Sequence, residues 1–299
     1  MSGAPIFVVG ATGRHGGTGG VVARSLLGRQ IPVRGLARRP DERTDELHAR
    51  GAEIVQGDLH DRASLVGALE GVETAYFTYP ISGGIVAAAA NFASAARTAG
   101  VKRVVVMSMA PSHPQSPSHL GRAQWLAEEI LAWSGISCLF LRIAAVFYEN
   151  IELLHRHEIA DENVMRNAFE DIPVSWLSGE DAAGIAVEAL LHPEKFGNEA
   201  AIYPGAPQQY TQSQVAEIIG RHIGRDIRHR TIPQAEWHAR ILKLSGRDPR
   251  ISADMAGHIS AVAANLKKPF PANNMIEEIT GRAPMSLAGV LQTGRLALA

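Results

Sequence analysis

The sequence has a single cysteine, few aromatic residues and almost no excess of charge. Its 299 residues contain only Cys138, which excludes an intramolecular disulfide and argues against a metal site built from thiolates. Lysine plus arginine number 29 and aspartate plus glutamate 30, for a net charge of −1. Such a balance provides no electrostatic surface for nucleic acid or for an anionic membrane, so we expect no direct nucleic-acid partner.

Long apolar runs are also missing. No stretch approaches the roughly 20 apolar residues that a membrane-spanning helix needs, and the first residues lack the pattern of a signal peptide. We therefore expect a cytoplasmic protein without a membrane partner. Hydrophobic residues make up 46% of the chain, which is enough for a sizeable core.

Short apolar runs alternate with helical periodicity in the first half. Six runs, from 6–9 to 137–142, predict strands joined by helices, with Gly100 ending the fourth helix and Asp61 capping the third. This pattern predicts an α/β fold with a doubly wound parallel Rossmann sheet. Beyond about residue 145 the pattern is mostly helical. We expect one domain over residues 1–150 and a smaller, mostly helical substrate or partner lobe over 151–299, with some segments returning to the sheet.

A glycine-rich loop follows the first strand. The spacing G-x-x-G-x-x-G lets a pyrophosphate approach backbone N–H groups and the positive end of the next helix. Residues 1–150 are therefore predicted to bind NAD(P). The loop residues expected at the cofactor are Gly10, Thr12, Gly13, Arg14, His15 and Gly16. Further glycines follow, so either the turn is long or the first helical turn is glycine-rich. Which of Gly16, Gly17 and Gly19 touches phosphate is left open.

The ends of the next two strands indicate which nucleotide binds. Arg38 and Arg39 stand where NAD-specific folds place an acid, and guanidinium groups suit a 2′-phosphate. NADP (NADPH) is thus expected and NAD is less favoured; two solvated surface arginines are the alternative. Asp58 and Leu59 are expected at the adenine, although Asp58 is equally suited to capping a helix.

Several motifs in fixed order resemble the NmrA-like family of atypical short-chain dehydrogenases/reductases. They lie at 9–13, 37–40, 57–59, 99–105, 134–136, 141–142, 147–150, 178–186 and 280–284. The resemblance implies a Rossmann fold that binds NADP at the strand ends, with a small C-terminal lobe over the nicotinamide. The family contains quinone and isoflavone-type reductases and also dinucleotide-binding, redox-sensing regulators. This chain departs from the family in its longer glycine loop and in lacking a lysine within 120–129, where Gln124 or Trp125 stands.

The proton-transfer pair of ordinary short-chain dehydrogenases is absent. None of the five tyrosines is followed four residues later by lysine. The strand-end residues expected at the cofactor are Thr78, Tyr79, Ser108, Phe147, Tyr148 and Asn150. Tyr79, Phe147 and Tyr148 are predicted to form an aromatic slot, with a core role as the alternative for the last two. Ser108 has a backbone-bonded hydroxyl as its alternative.

No residue is assigned firmly to catalysis. His119 is a candidate proton donor, although nothing near it in sequence pairs with it and it also suits a helix start without a role. No metal site is expected, because His155 and His157 are two residues apart and point to different sides of a helix. Both are predicted to be surface histidines.

Two functions remain in competition. The first is an NADPH-dependent oxidoreductase that reduces quinones or similar electron-poor small molecules by hydride transfer. The second is a non-catalytic NADP(H)-binding regulator that senses redox state and acts through a protein partner. A protein partner or a homodimer is expected for the regulator, and a small-molecule substrate such as a quinone for the enzyme. The aromatic residues favour the enzyme, and the missing Tyr/Lys pair favours the regulator.

Overall fold

Seven parallel strands form the main sheet, in a computed structural model that describes residues 3–13 and 17–298. The strands are β1 (Ile6–Val8), β2 (Val33–Ala37), β3 (Glu53–Gln56), β4 (Thr74–Phe77), β5 (Arg103–Met109), β6 (Ser137–Ile143), β7 (Val146–Phe147), β8 (Val164–Asn167), β9 (Val174–Leu177), β10 (Ala201–Ile202), β11 (Gln209–Tyr210) and β12 (Arg228–Thr231). The main sheet has the order β10-β6-β5-β4-β1-β2-β3. The strand order therefore reverses between β1 and β4, and the predicted Rossmann sheet is confirmed.

Helices cover both faces of this sheet. They are α1 (Thr18–Gly28), α2 (Glu42–Ala49), α3 (Arg62–Ala68), α4 (Ile85–Ala99), α5 (His119–Trp133), α6 (Glu149–Glu162), α7 (Gly179–Leu191), α8 (Gln212–Ile223), α9 (Gln234–Ser245), α10 (Ala253–Asn265), α11 (Met275–Thr280) and α12 (Leu287–Gln292). Val8 packs with α1 and α7, while the neighbouring Phe7 packs with α3, α4 and α5 on the opposite face. None of the described helices is long and apolar enough to cross a bilayer.

Local sequence signals account for several helix ends. Asp61 caps α3 by accepting a hydrogen bond from the N–H of Ala63 at 3.0 Å. Gly100 ends α4 with a φ of 81°, a left-handed conformation that favours glycine. Both ends are as predicted, because capping depends only on residues within one turn.

The second half contains more strand than the sequence pattern predicts. β7, β9 and β11 form a three-stranded sheet, and β8 pairs in parallel with β12. These strands are two to four residues long, and β12 reads Arg-His-Arg-Thr, so neither length nor alternation marks them.

Two later elements complete the main sheet. β10 pairs in parallel with β6, and α7 packs against α1 on the face that carries Val8. Both elements lie beyond residue 150. The division into domains at about residue 150 stays a prediction.

Candidate functional site

The turn after β1 is built from closely packed glycines. Gly10 has a φ of 73°, and its carbonyl oxygen accepts a hydrogen bond from the N–H of Gly13 at 2.9 Å. A Cβ on Gly10 would lie 2.6 Å from Cγ2 of Thr78, at the end of β4. A side chain at Gly10 is therefore excluded, which keeps the backbone of the turn open to a ligand.

The helix after this turn begins late, with a glycine-rich first turn. Gly17 is the N-cap of α1, with a φ of 58° and no side-chain cap, and Gly19 lies in the first helical turn. A Cβ on Gly19 would overlap the carbonyl oxygen of Gly10 and lie 2.6 Å from its carbonyl carbon. The close approach of helix and strand, which the third glycine of the dinucleotide motif permits, thus occurs at Gly19. Arg14, His15 and Gly16 lie outside the described residues.

The first turn of α1 lies beside the turn after β1. The leading N–H groups of a helix have no intrahelical acceptor, and the helix dipole favours an anion there. Beneath them, the buried Tyr76 hydroxyl donates to Oγ1 of Thr18 at 3.0 Å. This contact fixes the start of α1 against β4.

Three arginines lie where β2 leads into α2. Arg38 and Arg39 are exposed, and neither guanidinium donates a hydrogen bond to a described residue. Arg43 donates to the carbonyl oxygen of Thr12 and to the carboxylate of Asp41, and this hydrogen bond lowers the pKa of Asp41. Sequence reasoning missed Arg43. The signal that could have identified Arg43 is its position in the first turn of α2, shortly after Arg38 and Arg39.

Asp58 organises the end of β3. Its Oδ1 accepts a hydrogen bond from the N–H of His60 at 2.9 Å, and the backbone carbonyl of Leu59 accepts one from Asn91 at 2.9 Å. Because Asp61 caps α3, the helix-capping alternative for Asp58 is not what the structure shows.

Tyr79, which follows β4, lies close to His60 and Asp58 at the end of β3. Its hydroxyl is 2.8 Å from Nε2 of His60 and donates to the carbonyl oxygen of Gly83 at 3.1 Å. Burial raises the pKa of Tyr79, and the nearby charges of Asp58 and Arg38 act on it in opposite directions. Tyr79 therefore neighbours the residues expected at the adenine half of the dinucleotide.

Ser108, at the end of β5, is hydrogen-bonded to the buried ion pair of Glu128 and Arg142. Its hydroxyl donates to the carboxylate of Glu128, which is 1% exposed. Arg142 donates to the same carboxylate at 2.6 and 2.9 Å and to the hydroxyl of Tyr203 at 2.6 Å. The partner of Ser108 is thus a side chain rather than the backbone. Gln124, one turn before Glu128 on α5, is 5% exposed.

The segment 147–150 is divided between two environments. Phe147 is half-buried in β7, whereas Tyr148 is 1% exposed and stacks on Trp176 with ring centroids 6.0 Å apart. Tyr148 therefore has the packing of a core residue, the alternative that the sequence left open. The structure does not gather Tyr79, Phe147 and Tyr148 into one slot, because they pack in three different clusters.

Two buried acceptors begin α6. Oδ1 of Asn150 and Oε2 of Glu149 are buried without a hydrogen-bond partner among the described residues. Glu149 uses its other oxygen to accept from the N–H of Gly179 at 2.9 Å, and burial raises its pKa. These acceptors are available to a donor that is not part of the described chain.

Two of the three histidines considered in the sequence analysis have partners that the sequence does not reveal. His119 is the first residue of α5, and its Nε2 lies 3.4 Å from Oδ1 of Asp254, a partner supplied by α10. The prediction that His155 lies at the surface is wrong, since its ring is 5% exposed and stacks on Trp237 at 5.1 Å. His157 is exposed. Local spacing cannot reveal such burial, because Trp237 comes from a distant helix.

Comparisons with known proteins agree with this architecture. The model of the NmrA-like family matches residues 3–283. The NAD(P)H azoreductase of Xenophilus azovorans is 32% identical over 227 residues, covering 75% of this chain and 76% of that protein. Quinone oxidoreductase 2 of Escherichia coli (strain K12) is 28% identical over 291 residues, covering 95% of this chain and 96% of that protein.

A solved structure shows the same fold. The NADPH-dependent quinone oxidoreductase of Escherichia coli, complexed with NADPH, has a TM-score of 0.79 and 24% identity, covering 96% of this chain and 99% of that chain. The family model spans nearly the whole chain, and the azoreductase matches three quarters of it. The resemblance carried by the ordered motifs is therefore confirmed, and the chain belongs to the NmrA-like family.

Proposed function

We propose that the protein is an NADPH-dependent oxidoreductase that reduces quinones or similar electron-poor small molecules by hydride transfer. The observation that carries this proposal is the turn after β1, where Gly10 and Gly19 exclude side chains beside the open N-terminus of α1. The names of two relatives, an NAD(P)H azoreductase and a quinone oxidoreductase, support the substrate class. A cytoplasmic location, expected from the sequence, is part of the proposal.

The residues at the strand ends fit a phosphorylated dinucleotide. The turn at Gly10–Gly13 and the start of α1 suit the pyrophosphate, and the exposed Arg38 and Arg39 suit a 2′-phosphate. In this proposal, Asp58 and Leu59 border the adenine-binding position, and Thr78 and Tyr79 lie beside them. Since the arginines follow β2, the nicotinamide half belongs on the β4 and β5 side of the switch point.

The proposed nicotinamide contacts come from the later strands. Phe147 and Asn150 would border the ring, and Oδ1 of Asn150, which has no hydrogen-bond partner among the described residues, would accept a hydrogen bond from its amide group. Tyr148 would support the segment from the core, and Ser108 would act from the β5 end. When bound, NADPH supplies the hydride, so the chain needs to orient the substrate, exclude water and provide a proton.

The reaction does not use a Tyr-x-x-x-Lys pair in this proposal. Gln124 and Glu128 lie four residues apart on the buried face of α5, but Glu128 is held by Ser108 and Arg142. Both carboxylate oxygens of Glu128 are thus already engaged within the chain. The proton therefore comes from water or from a residue at the mouth of the site.

The test is NADPH oxidation, followed by absorbance, with a panel of quinones and azo dyes. Calorimetry should first show that the protein binds NADPH, which the enzyme and the regulator share. Turnover with at least one quinone is the expected result. Tight NADPH binding without turnover of any acceptor would instead favour the regulator, whose protein partner or second copy would then be sought.

A further inference from the structure

Three segments meet above the carboxyl ends of β4 and β5. They are the loop after β4, the start of α5 and the first turn of α10, which comes from the C-terminal half. In a doubly wound sheet, ligands bind beyond the carboxyl ends of the strands. This meeting point adjoins Tyr79, whose hydroxyl donates to the carbonyl oxygen of Gly83, and it extends from there to the start of α5, which follows β5. It therefore reaches from the side of Tyr79 to the β5 side of the switch point, where the substrate is expected.

Asp254 joins all three segments. From the first turn of α10, its Oδ2 accepts a hydrogen bond from the N–H of Gly83 at 2.6 Å, and its Oδ1 lies 3.4 Å from Nε2 of His119. A Cβ on Gly83 would lie 2.8 Å from Oδ2, so a side chain at that position would require the carboxylate to shift. The side chain of His119 remains 52% exposed, and its ring is therefore open to a ligand and to water.

Further contacts hold α10 in place. Oγ of Ser252 donates to the carbonyl oxygen of Ile81 at 3.2 Å, and Oγ of Ser118 lies 2.7 Å from Nδ1 of His258. Burial lowers the pKa of His258 to about 4, with the charge of His119 adding to the effect. His258 is consequently neutral at neutral pH, and the acidic side chain that lies beside His119 is that of Asp254.

We propose that His119 donates the proton to the reduced substrate and that Asp254 is the positioning residue that orients its ring. The inference rests on the proposed function. In the step, the hydride brings both electrons to the quinone, whose carbonyl oxygen takes a proton as an N–H bond of the imidazolium breaks. The neutral imidazole then takes up a proton from the solvent at its exposed edge, so that the net reaction consumes one proton from solution. The balance is one quinone, one hydride and one proton to one hydroquinone.

The kinetic test compares His119→Ala with His113→Ala. His113 is an exposed histidine in the loop between β5 and α5, so its variant is a matched control that should keep wild-type turnover. His119→Ala should lower kcat by about 10²-fold, in the range of a lost general acid, with unchanged Kd for NADPH. Added imidazole should restore part of the rate, which a purely structural role would not allow.

A second readout does not depend on turnover. Selective ¹⁵N-histidine labelling should show His119 of the cofactor-free protein as the Nε2–H tautomer, and Asp254→Asn should change that tautomer balance. Asp254→Asn should also lower kcat about tenfold while the protein stays folded by its melting temperature.

The outcomes separate the two proposals. No turnover by the wild type overturns both of them. Wild-type turnover that survives His119→Ala, or a His119 tautomer and kcat unaffected by Asp254→Asn, overturns this inference alone.

Discussion

At the scale of single residues, the site depends on glycines that have no room for a side chain and on arginines whose charge is exposed to solvent. Gly19 is tightly packed against the carbonyl group of Gly10, whereas the Cβ position of Gly28 in the same helix has no described atom within 4 Å apart from its chain neighbours and its own helix backbone. The exposed Arg38 has the opposite property, since it contributes charge without packing. A substitution at Gly19 is therefore expected to affect both binding and stability, and one at Arg38 mainly binding.

Gly19→Ala should reduce NADPH affinity and stability together. The added methyl group must push α1 away from the turn after β1, which disturbs the backbone donors at the helix start. We expect at least a tenfold rise in the Kd for NADPH and a lower melting temperature. Gly28→Ala is the control, expected to be neutral or to stabilise by up to about 1 kcal/mol because alanine favours a helix. Equal behaviour of the two variants would contradict the packing role of Gly19.

Arg38→Ala should remove most of the preference for NADPH over NADH. A charge-assisted contact to the 2′-phosphate contributes about 1.5–3 kcal/mol, so NADPH affinity should fall and NADH affinity should stay unchanged. Calorimetric titration with both dinucleotides measures the difference. Arg97→Ala, at an exposed arginine near the end of α4, should change neither affinity. Equal affinity of the wild-type protein for the two dinucleotides would rule out the role assigned to Arg38.

At the scale of elements, a buried ion pair connects β5, α5 and β6. Glu128 on α5 accepts from Ser108 on β5 and from Arg142 on β6, and Arg142 extends the contact to Tyr203 beyond β10. A buried charge is tolerated only when it is paired and hydrogen-bonded. The network therefore fixes α5, which carries His119, relative to the strand ends.

Glu128→Gln should destabilise the protein by about 2–4 kcal/mol, because it removes the charge that compensates Arg142. Urea unfolding gives the free energy of unfolding for this comparison. Glu129→Gln changes the next residue of the same helix, which is half-buried, and should cost less than about 0.5 kcal/mol. A loss of equal size in both variants would mean that the network contributes no specific stability.

The elements that could be predicted are those with local signals. The strands and helices of the first half follow from apolar runs, and Asp61 and Gly100 mark helix ends through contacts within one turn. The strand β12 was missed because polar residues form it, and its pairing with β8 joins segments far apart in sequence. The site follows the same division, since the glycine turn was predicted and the contact of His119 with Asp254 was not.

At the scale of the whole molecule, buried histidines make stability depend on pH. The side chain of His229 is 3% exposed, and His258 is 6% exposed. Burial lowers the pKa of each histidine from 6.5 to about 4. The unfolded chain therefore binds more protons than the folded one between these pH values. Stability should be constant with respect to these groups above pH 6.5 and fall as the pH drops toward 4.

Unfolding experiments at pH 7 and pH 5 should show this loss, about 1–2 kcal/mol for each histidine. His258→Gln and His229→Gln should each reduce the difference between the two pH values. The exposed His157, changed to glutamine, should leave the difference unaltered. If neither buried histidine affects the slope, other groups account for the acid sensitivity.

Because α7 comes after the first six strands in the sequence, it is synthesised after most of the sheet that it covers. Ten of its 13 residues are buried, and they cover the sheet face that carries Val8. A growing chain synthesised at roughly 5–20 residues per second must pass residue 191 before α7 completes the cover that α1 begins on that face. For several seconds the ribosome thus presents a nearly finished sheet with part of one apolar face exposed, a target for chaperones. Stalled chains ending before α7 should accordingly bind a hydrophobic dye more strongly than chains stalled after β10 has emerged.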